Sequence, residues 1–181
     1  MNIIVKPYGS DLYYCRPDTT WERENKDFYS PECVNEIYCA PVVFARVCKA
    51  GKCIGAKFVE RYYDGVGCGV LLYGATKNGM VSYIDKSSIL PSPLYNPVVI
   101  EDDKEFQLAA NGEERIVTVH DAQKTLEETI CRSSELITLR VGDYVAIELE
   151  SARLICTRED GEVKMSGRFC ENDIFSQKVI F

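Results

Sequence analysis

Apolar positions along the chain fall mostly in short runs and strict alternations, and only two stretches show helical spacing. Ile3 to Val5 is a first strand-like run, stopped by Pro7. Residues 11–38 are polar, aromatic and turn-rich, with Arg16-Pro17-Asp18-Thr19 and Ser30-Pro31-Glu32 reading as turns. Residues 42–47 form an apolar run suited to a buried strand, broken by Lys49-Ala50-Gly51-Lys52. Ile54, Phe58 and Tyr62 then recur every four residues, which predicts a short helix over residues 54–64, with Gly65 placed to end it. Residues 66–73 read as the next strand, where Gly67 and Gly69 allow close backbone approach. Residues 74–97 are loop-like, since Pro91, Pro93 and Pro97 block regular pairing.

Beyond Glu105 the pattern sharpens. Phe106, Leu108 and Ala110 alternate with their neighbours, Asn111-Gly112 supplies a turn, and residues 116–119 return. Asn-Gly between two such runs predicts a hairpin, because both residues tolerate positive φ. Asp121 is placed to cap a second helix over residues 122–134, with Ala122, Leu126 and Ile130 on one face. Val141-Gly142-Asp143 makes a turn before an alternation through Tyr144, Val145, Ala146, Ile147 and Leu149. Residues 152–156 and 179–181 are further strand candidates, and Arg158-Glu159-Asp160-Gly161 is a turn. Many strands and two short helices predict an α+β fold dominated by antiparallel sheet.

At 181 residues the chain suits one hydrophobic core, and a single domain over residues 1–181 is expected. Apolar residues make up 46% and charged residues 27%, a globular balance that argues against wholesale disorder. No apolar run reaches the roughly 18 residues a membrane-crossing helix needs, so no membrane association is expected. The first residues lack the basic start and long apolar stretch of a secretory signal, and a cytoplasmic protein is predicted. The formal charge of −7, with basic residues scattered, disfavours nucleic acid as a partner. Nine cysteines, an odd number with no Cys-x-x-Cys pair, predict buried free thiols rather than a disulfide framework. Cys48 and Cys53 have the spacing of half a zinc site, but no second close pair exists to complete it, and His120 is the only histidine.

Catalytic motifs are incomplete. Gly65-x-Gly67-x-Gly69 lacks the Lys-Ser/Thr of a phosphate loop and follows a predicted helix instead of opening one. His120 is the only imidazole base, and nothing in the sequence selects a thiol to partner it. Glu101-Asp102-Asp103, like Glu22, Glu24 and Asp27, reads as a solvated acidic stretch rather than a cation site.

Several segments, taken in order, nonetheless resemble the fumarylacetoacetate hydrolase family, which includes acylpyruvate hydrolases and dienedioate isomerases. Arg16-Pro17-Asp18-Thr19 resembles the family's early Lys-Pro-Asp-Thr. Residues 51–70, with Arg61-Tyr62-Tyr63-Asp64-Gly65-Val66-Gly67-x-Gly69, are similar to its helix and glycine-spaced strand, and Asp85-x-Ser87 to a later Phe-Asp-x-Ser. Asn111-Gly112-Glu113, Ser133-Ser134 and Thr138-Leu139-Arg140-Val141-Gly142-Asp143 follow the family's succession of motifs. The resemblance covers residues 16–147, leaving residues 148–181 as divergent strands. It implies a mixed β-sheet roll or sandwich with two short helices, and a homodimer.

The departures fall on the chemistry. The family holds Mg²⁺ or Mn²⁺ with two carboxylates in a Tyr-Glu-x-Glu strand and an Asp one strand later. Tyr38 matches the tyrosine, but Cys39 and Pro41 stand at the Glu positions and Leu71 at the Asp position. Ser82 replaces a substrate-contacting Lys, leaving Lys86 nearby, and Ile147-Glu148-Leu149-Glu150 replaces a Thr-Gly-Thr-Pro loop. A hard cation without anionic oxygens has little reason to stay. The resemblance therefore implies a non-catalytic binding or structural protein with no metal ligand and no cofactor. Tyr38, Cys39, Leu71, Ser82 and Lys86 would line a remnant cleft. The alternatives are a small-ligand binder using that cleft, or a divergent hydrolase or isomerase of small keto or dicarboxylic acids. The enzyme would need Mg²⁺ or Mn²⁺, or a site rebuilt from Cys39, His120 or residues 101–103.

Overall fold

The computed structural model describes residues 1–92, 94–100 and 103–181, so Pro93, Glu101 and Asp102, and with them most of the acidic stretch noted above, lie outside the described residues. The chain opens with β1 (Asn2–Lys6), β2 (Tyr14–Pro17), β3 (Trp21–Glu22) and β4 (Phe28–Tyr29). Two long strands follow, β5 (Val34–Val47) and β6 (Tyr63–Thr76), then the short β7 (Gly79–Val81) and β8 (Ser88–Ile89). The hairpin β9 (Glu105–Ala110) and β10 (Glu113–Thr118) precedes helix α1 (Ala122–Leu136). β11 (Tyr144–Glu148), β12 (Arg153–Thr157), β13 (Glu162–Phe169) and β14 (Asn172–Ile180) complete the chain.

These strands build two sheets. The larger runs β2-β1-β11-β5-β6-β8-β3, with β12 also on β5 and β7 on β6; the smaller runs β10-β9-β13-β14-β4. β2 and β3 stand at opposite ends of the larger sheet's path, yet only the 3-10 turn Asp18–Thr20 separates them in the chain. The sheet therefore curls until its edges approach, giving a roll. Ile3, Val5, Val42, Phe44, Leu71, Leu90, Tyr144 and Ala146 fill the inside of the curl. The opposite face packs with α1 and the smaller sheet in one continuous core that includes Ile37, Cys39, Val43, Leu72, Leu126, Ile130 and Met165. No helix among the described residues is long and apolar enough to cross a membrane.

Local expectations meet mixed outcomes. The Asn111-Gly112 hairpin forms, with both turn residues at positive φ (52° and 77°) and Ala110 paired to Glu113. Helix α1 buries Ala122, Leu126 and Ile130, the face its spacing predicts. Asp121 precedes it in a left-handed conformation and makes no side-chain capping bond. The helix expected over residues 54–64 is instead a six-residue 3-10 turn, Ala56–Arg61. In a 3-10 turn side chains eclipse every three residues; Val59 is therefore buried, while Phe58 stays exposed. The region over 74–97 is less loop-like than its prolines suggest, since β6 runs to Thr76 and β7 and β8 pair with it.

Pro41 sits inside the 14-residue β5, an unusual place for a residue without an N–H. It is tolerated because β11 pairs with residues 42–46 and β12 with residues 36–39, leaving Pro41 in the gap between them. Its carbonyl there accepts from the Leu149 N–H at 2.9 Å. Asp143, wholly buried, accepts from the Asn2 and Arg140 N–H groups, each at 2.8 Å, and so fixes the start of β1 beside β11. All nine cysteines are free thiols, but only Cys39, Cys68 and Cys156 are buried; Cys15, Cys33 and Cys53 are exposed on the surface.

Candidate functional site

The antiparallel ladder of β5 and β6 carries the positions where the resemblance places a metal. Its register sets Cys39 opposite Leu72, Ala40 opposite Leu71 and Pro41 opposite Val70. Side chains alternate faces along a strand. Cys39 accordingly shares the face of Leu72 and Val70, which packs against the smaller sheet, while Leu71 points into the roll. Cys39 is fully buried, and its Sγ lies 3.9 Å from Met165 Sδ. Burial pushes its thiol pKa up to about 12, with the nearby Arg115 charge opposing the rise.

Tyr38 lies on the Leu71 face, where its hydroxyl donates to Glu36 Oε2 at 2.7 Å. Ser82 and Lys86 are exposed, and the Lys86 ammonium reaches the Trp21 carbonyl at 3.3 Å. The five expected cleft residues thus divide among the roll interior, the inter-sheet core and the surface, and they do not converge. Among the described residues no group of three or more His, Cys, Asp or Glu could hold a metal ion. The ladder offers a thiol, a proline and aliphatic side chains where Mg²⁺ or Mn²⁺ requires charged oxygens, so the residues present do not fit that metal.

The polar chemistry lies instead at the seam of the roll. Arg16 of β2 is fully buried. Its Nη1 donates to the Ser87 carbonyl at 3.3 Å, Ser87 Oγ at 3.2 Å and Ser88 Oγ at 3.3 Å, and its Nη2 to the Leu72 carbonyl at 3.2 Å. The guanidinium also lies 4.6 Å from the centre of the Tyr73 ring. Tyr14 and Tyr73 share a hydrogen bond of 2.6 Å between their hydroxyls, and Tyr73 donates to Glu148 Oε1. Glu148 Oε2 in turn accepts from the Tyr8 N–H at 2.9 Å. The buried guanidinium is thus linked through two phenols to one carboxylate. Burial is the largest cause raising the Tyr73 pKa; Glu148 and Tyr14 add to it and Arg16 opposes it.

Glu148 also lines a surface cavity of about 340 Å³, together with Lys6, Tyr8, Thr118, His120 and Thr125. His120 Nε2 stands 3.4 Å from Asp121 Oδ2. Cys39, the buried thiol nearest the expected metal position, does not line this cavity. The sequence names Arg16 only within its Arg-Pro-Asp-Thr turn. The one local clue to the seam is the alternation Tyr14-x-Arg16, which puts both side chains on the face that β1 turns inward.

No protein-family model matches the chain, nor does any curated protein sequence. Solved structures do. A protein from Yersinia pestis CO92 described as a fumarylacetoacetate hydrolase family member superposes with a TM-score of 0.79 at 14% identity, covering 99% of this chain and 92% of that one. Fumarylpyruvate hydrolase from Pseudomonas aeruginosa, in complex with Mn²⁺ and pyruvate, gives 0.75 at 16% identity, covering 99% and 88%. The 5-carboxymethyl-2-hydroxymuconate delta-isomerase of Mycobacterium smegmatis gives 0.74 at 14% identity, covering 99% and 78%. The roll, the second sheet and the helix of this chain therefore have the fold of the fumarylacetoacetate hydrolase family.

Proposed function

We propose that this chain is a non-catalytic protein on a fumarylacetoacetate hydrolase-like fold, with a binding or structural role, acting as a cytoplasmic homodimer without a metal cofactor. The observation that carries the reading is the β5–β6 ladder. Cys39 and Leu71 are fully buried there among apolar side chains, Pro41 is buried beside them, and among the described residues no group of three or more His, Cys, Asp or Glu could hold a metal ion. A fold outlives its site, so likeness to hydrolases and isomerases does not by itself supply an activity. Nine free thiols suit a reducing compartment.

A second reading, a divergent hydrolase or isomerase of small keto or dicarboxylic acids, draws on the cavity where Lys6, His120 and Glu148 meet. It is weaker because Glu148 is already engaged by Tyr73 and the Tyr8 N–H. Incubating the chain with fumarylpyruvate, with and without Mn²⁺, separates the two. The non-catalytic reading expects no loss of the substrate's enol absorbance above the protein-free rate. Turnover that disappears in His120→Ala would establish the second.

A further inference from the structure

The smaller sheet ends at β10, and among the described residues no strand pairs with the outer side of that strand. The two-residue Asn111-Gly112 turn closes on the pair Ala110 and Glu113, and turns of this kind close on a hydrogen-bonded pair. Bonding then alternates along β10. Glu113, Arg115 and Val117 turn their N–H and C=O groups toward β9, while Glu114, Ile116 and Thr118 turn theirs away from it. The next position keeps this phase, since the Val119 N–H donates to the Lys104 carbonyl at 3.2 Å. The outer side of β10 thus presents a row of backbone donors and acceptors beside the Ile116 side chain, which is 61% exposed.

We propose that β10 pairs antiparallel with β10 of a second copy of this chain, about a two-fold axis at Ile116, joining the two smaller sheets into one. An unpaired edge is a template for another strand, and native sheets commonly guard such edges with charge. The charges on β10 leave one self-pairing register open. About Ile116, Glu114 lies opposite Thr118 of the partner subunit, Arg115 lies opposite Val117 of the partner subunit, and Ile116 meets its own copy. Residues of the same bonding phase face each other in this register, so each outward N–H meets an outward C=O. Centring the pair on Arg115 would set two guanidinium side chains directly opposite, which opposes pairing. Centring it on Val117 would leave Glu114 outside the ladder.

A second copy is the occupant that the edge itself specifies. A two-fold contact requires one strand to complement itself. β10 does so in bonding phase, in charge and in its exposed apolar side chain. β12 exposes Leu154 at 50%, but its ladder shifts register between Leu154 and Cys156, which makes it a poorer template. The inference rests on the homodimeric reading above and names the surface that reading leaves open.

The test is sedimentation equilibrium of the reduced full chain over a range of loading concentrations. Ile116→Pro removes an N–H that β9 does not use, and Ile116→Lys sets two ammonium groups opposite each other. The wild type should dimerise, each Ile116 variant should weaken the dimer at least about tenfold, and Leu154→Lys should leave it unchanged. In the wild type, the amides of Glu114, Ile116 and Thr118 should exchange more slowly at dimeric than at monomeric concentrations. A wild type that stays monomeric overturns this proposal and the homodimeric reading together, and turns the edge over to a strand of a different protein. A dimer that either folded Ile116 variant leaves intact, or that Leu154→Lys dissolves equally, overturns the proposal alone. Should an Ile116 variant fail to fold, amide exchange of the wild type decides: protection on dimerisation supports the pairing, and equal exchange overturns it.

Discussion

Cys39 and Leu71 lie on opposite faces of one two-stranded ladder, because Leu71 pairs with Ala40 and Cys39 with Leu72. In this register the positions that the resemblance assigns to the metal, Cys39 and Pro41 on one face and Leu71 on the other, are therefore not one ligand set. Each side chain is instead a packing element of a different core, Cys39 between the sheets and Leu71 inside the roll.

Leu71→Ala should therefore behave as a plain core truncation. It removes a fully buried side chain and should cost about 2–5 kcal/mol, read as a lower urea midpoint. A cost below about 1 kcal/mol would show that the roll interior is loosely filled.

Restoring an acid should be worse than useless. Cys39→Glu places a carboxylate in the fully buried inter-sheet core, with only the Arg115 charge near it, and should destabilise by at least about 3 kcal/mol. Adding Mg²⁺ should recover none of that loss in a melting curve. Full recovery would show that the inter-sheet space still accepts a hard cation.

The Arg16 seam should be the costliest polar feature to break. Arg16→Ala removes the guanidinium's bonds to the Leu72 and Ser87 carbonyls and to the Ser87 and Ser88 hydroxyls and leaves a void in the buried seam, and should cost about 3–5 kcal/mol. Tyr73→Phe, which loses the bonds to Tyr14 and Glu148, and Glu148→Ala should each cost about 1–2 kcal/mol, and the double variant less than their sum, since the Tyr73–Glu148 bond is lost in both. Strict additivity in this cycle would show that the two groups do not interact.

Stability should fall in alkali. Burial raises the pKa of Tyr73 and of Tyr63, the latter with help from Glu127, and pushes the thiols of Cys39 and Cys156 up to about 12. Each group holds its proton more tightly folded than unfolded. Its contribution is complete below the unfolded values of about 8.5 for thiols and about 10 for tyrosine, and is lost as pH rises through the folded values. The urea midpoint should thus be lower at pH 10.5 than at pH 7.5, and Tyr73→Phe should soften the slope. A flat or rising midpoint would contradict the assignment.

Gly69 should tolerate no side chain. A Cβ there would meet the Ile89 carbonyl oxygen at 2.3 Å, a backbone atom held by the β6–β8 pairing, so Gly69→Ala should cost about 1–3 kcal/mol, measured as the drop in urea midpoint. Gly55→Ala, whose Cβ meets only Phe58 at 4.0 Å, is the matched control and should leave the midpoint nearly unchanged.

Local pattern carried much of this fold. The alternation around Phe106 and Leu108, the Asn111-Gly112 turn and the Ala122-Leu126-Ile130 spacing each depend on neighbours within a few residues, and each formed. The Ile54-Phe58-Tyr62 spacing misled because only Phe58 lies inside the 3-10 turn Ala56–Arg61, so the four-residue recurrence spans the turn's flanks and not a continuous helix. Site geometry was less legible. Which face Cys39 takes relative to Leu71 depends on strand register, and a shift of one residue reverses every side chain. Arg16 meets Ser87 across 71 residues of chain, so its burial depends on the closure of the roll, which no local pattern announces.

The central claim, that the ladder does not hold a hard cation, is tested most directly by melting EDTA-treated protein with Mg²⁺ or Mn²⁺, each with and without oxalate or pyruvate. A ligand at about 100 times its dissociation constant adds about 2.7 kcal/mol, enough to move the midpoint by a few degrees. The account predicts no shift under any of these conditions. A metal-dependent rise that grows with oxalate or pyruvate would contradict it and place a working centre in this fold.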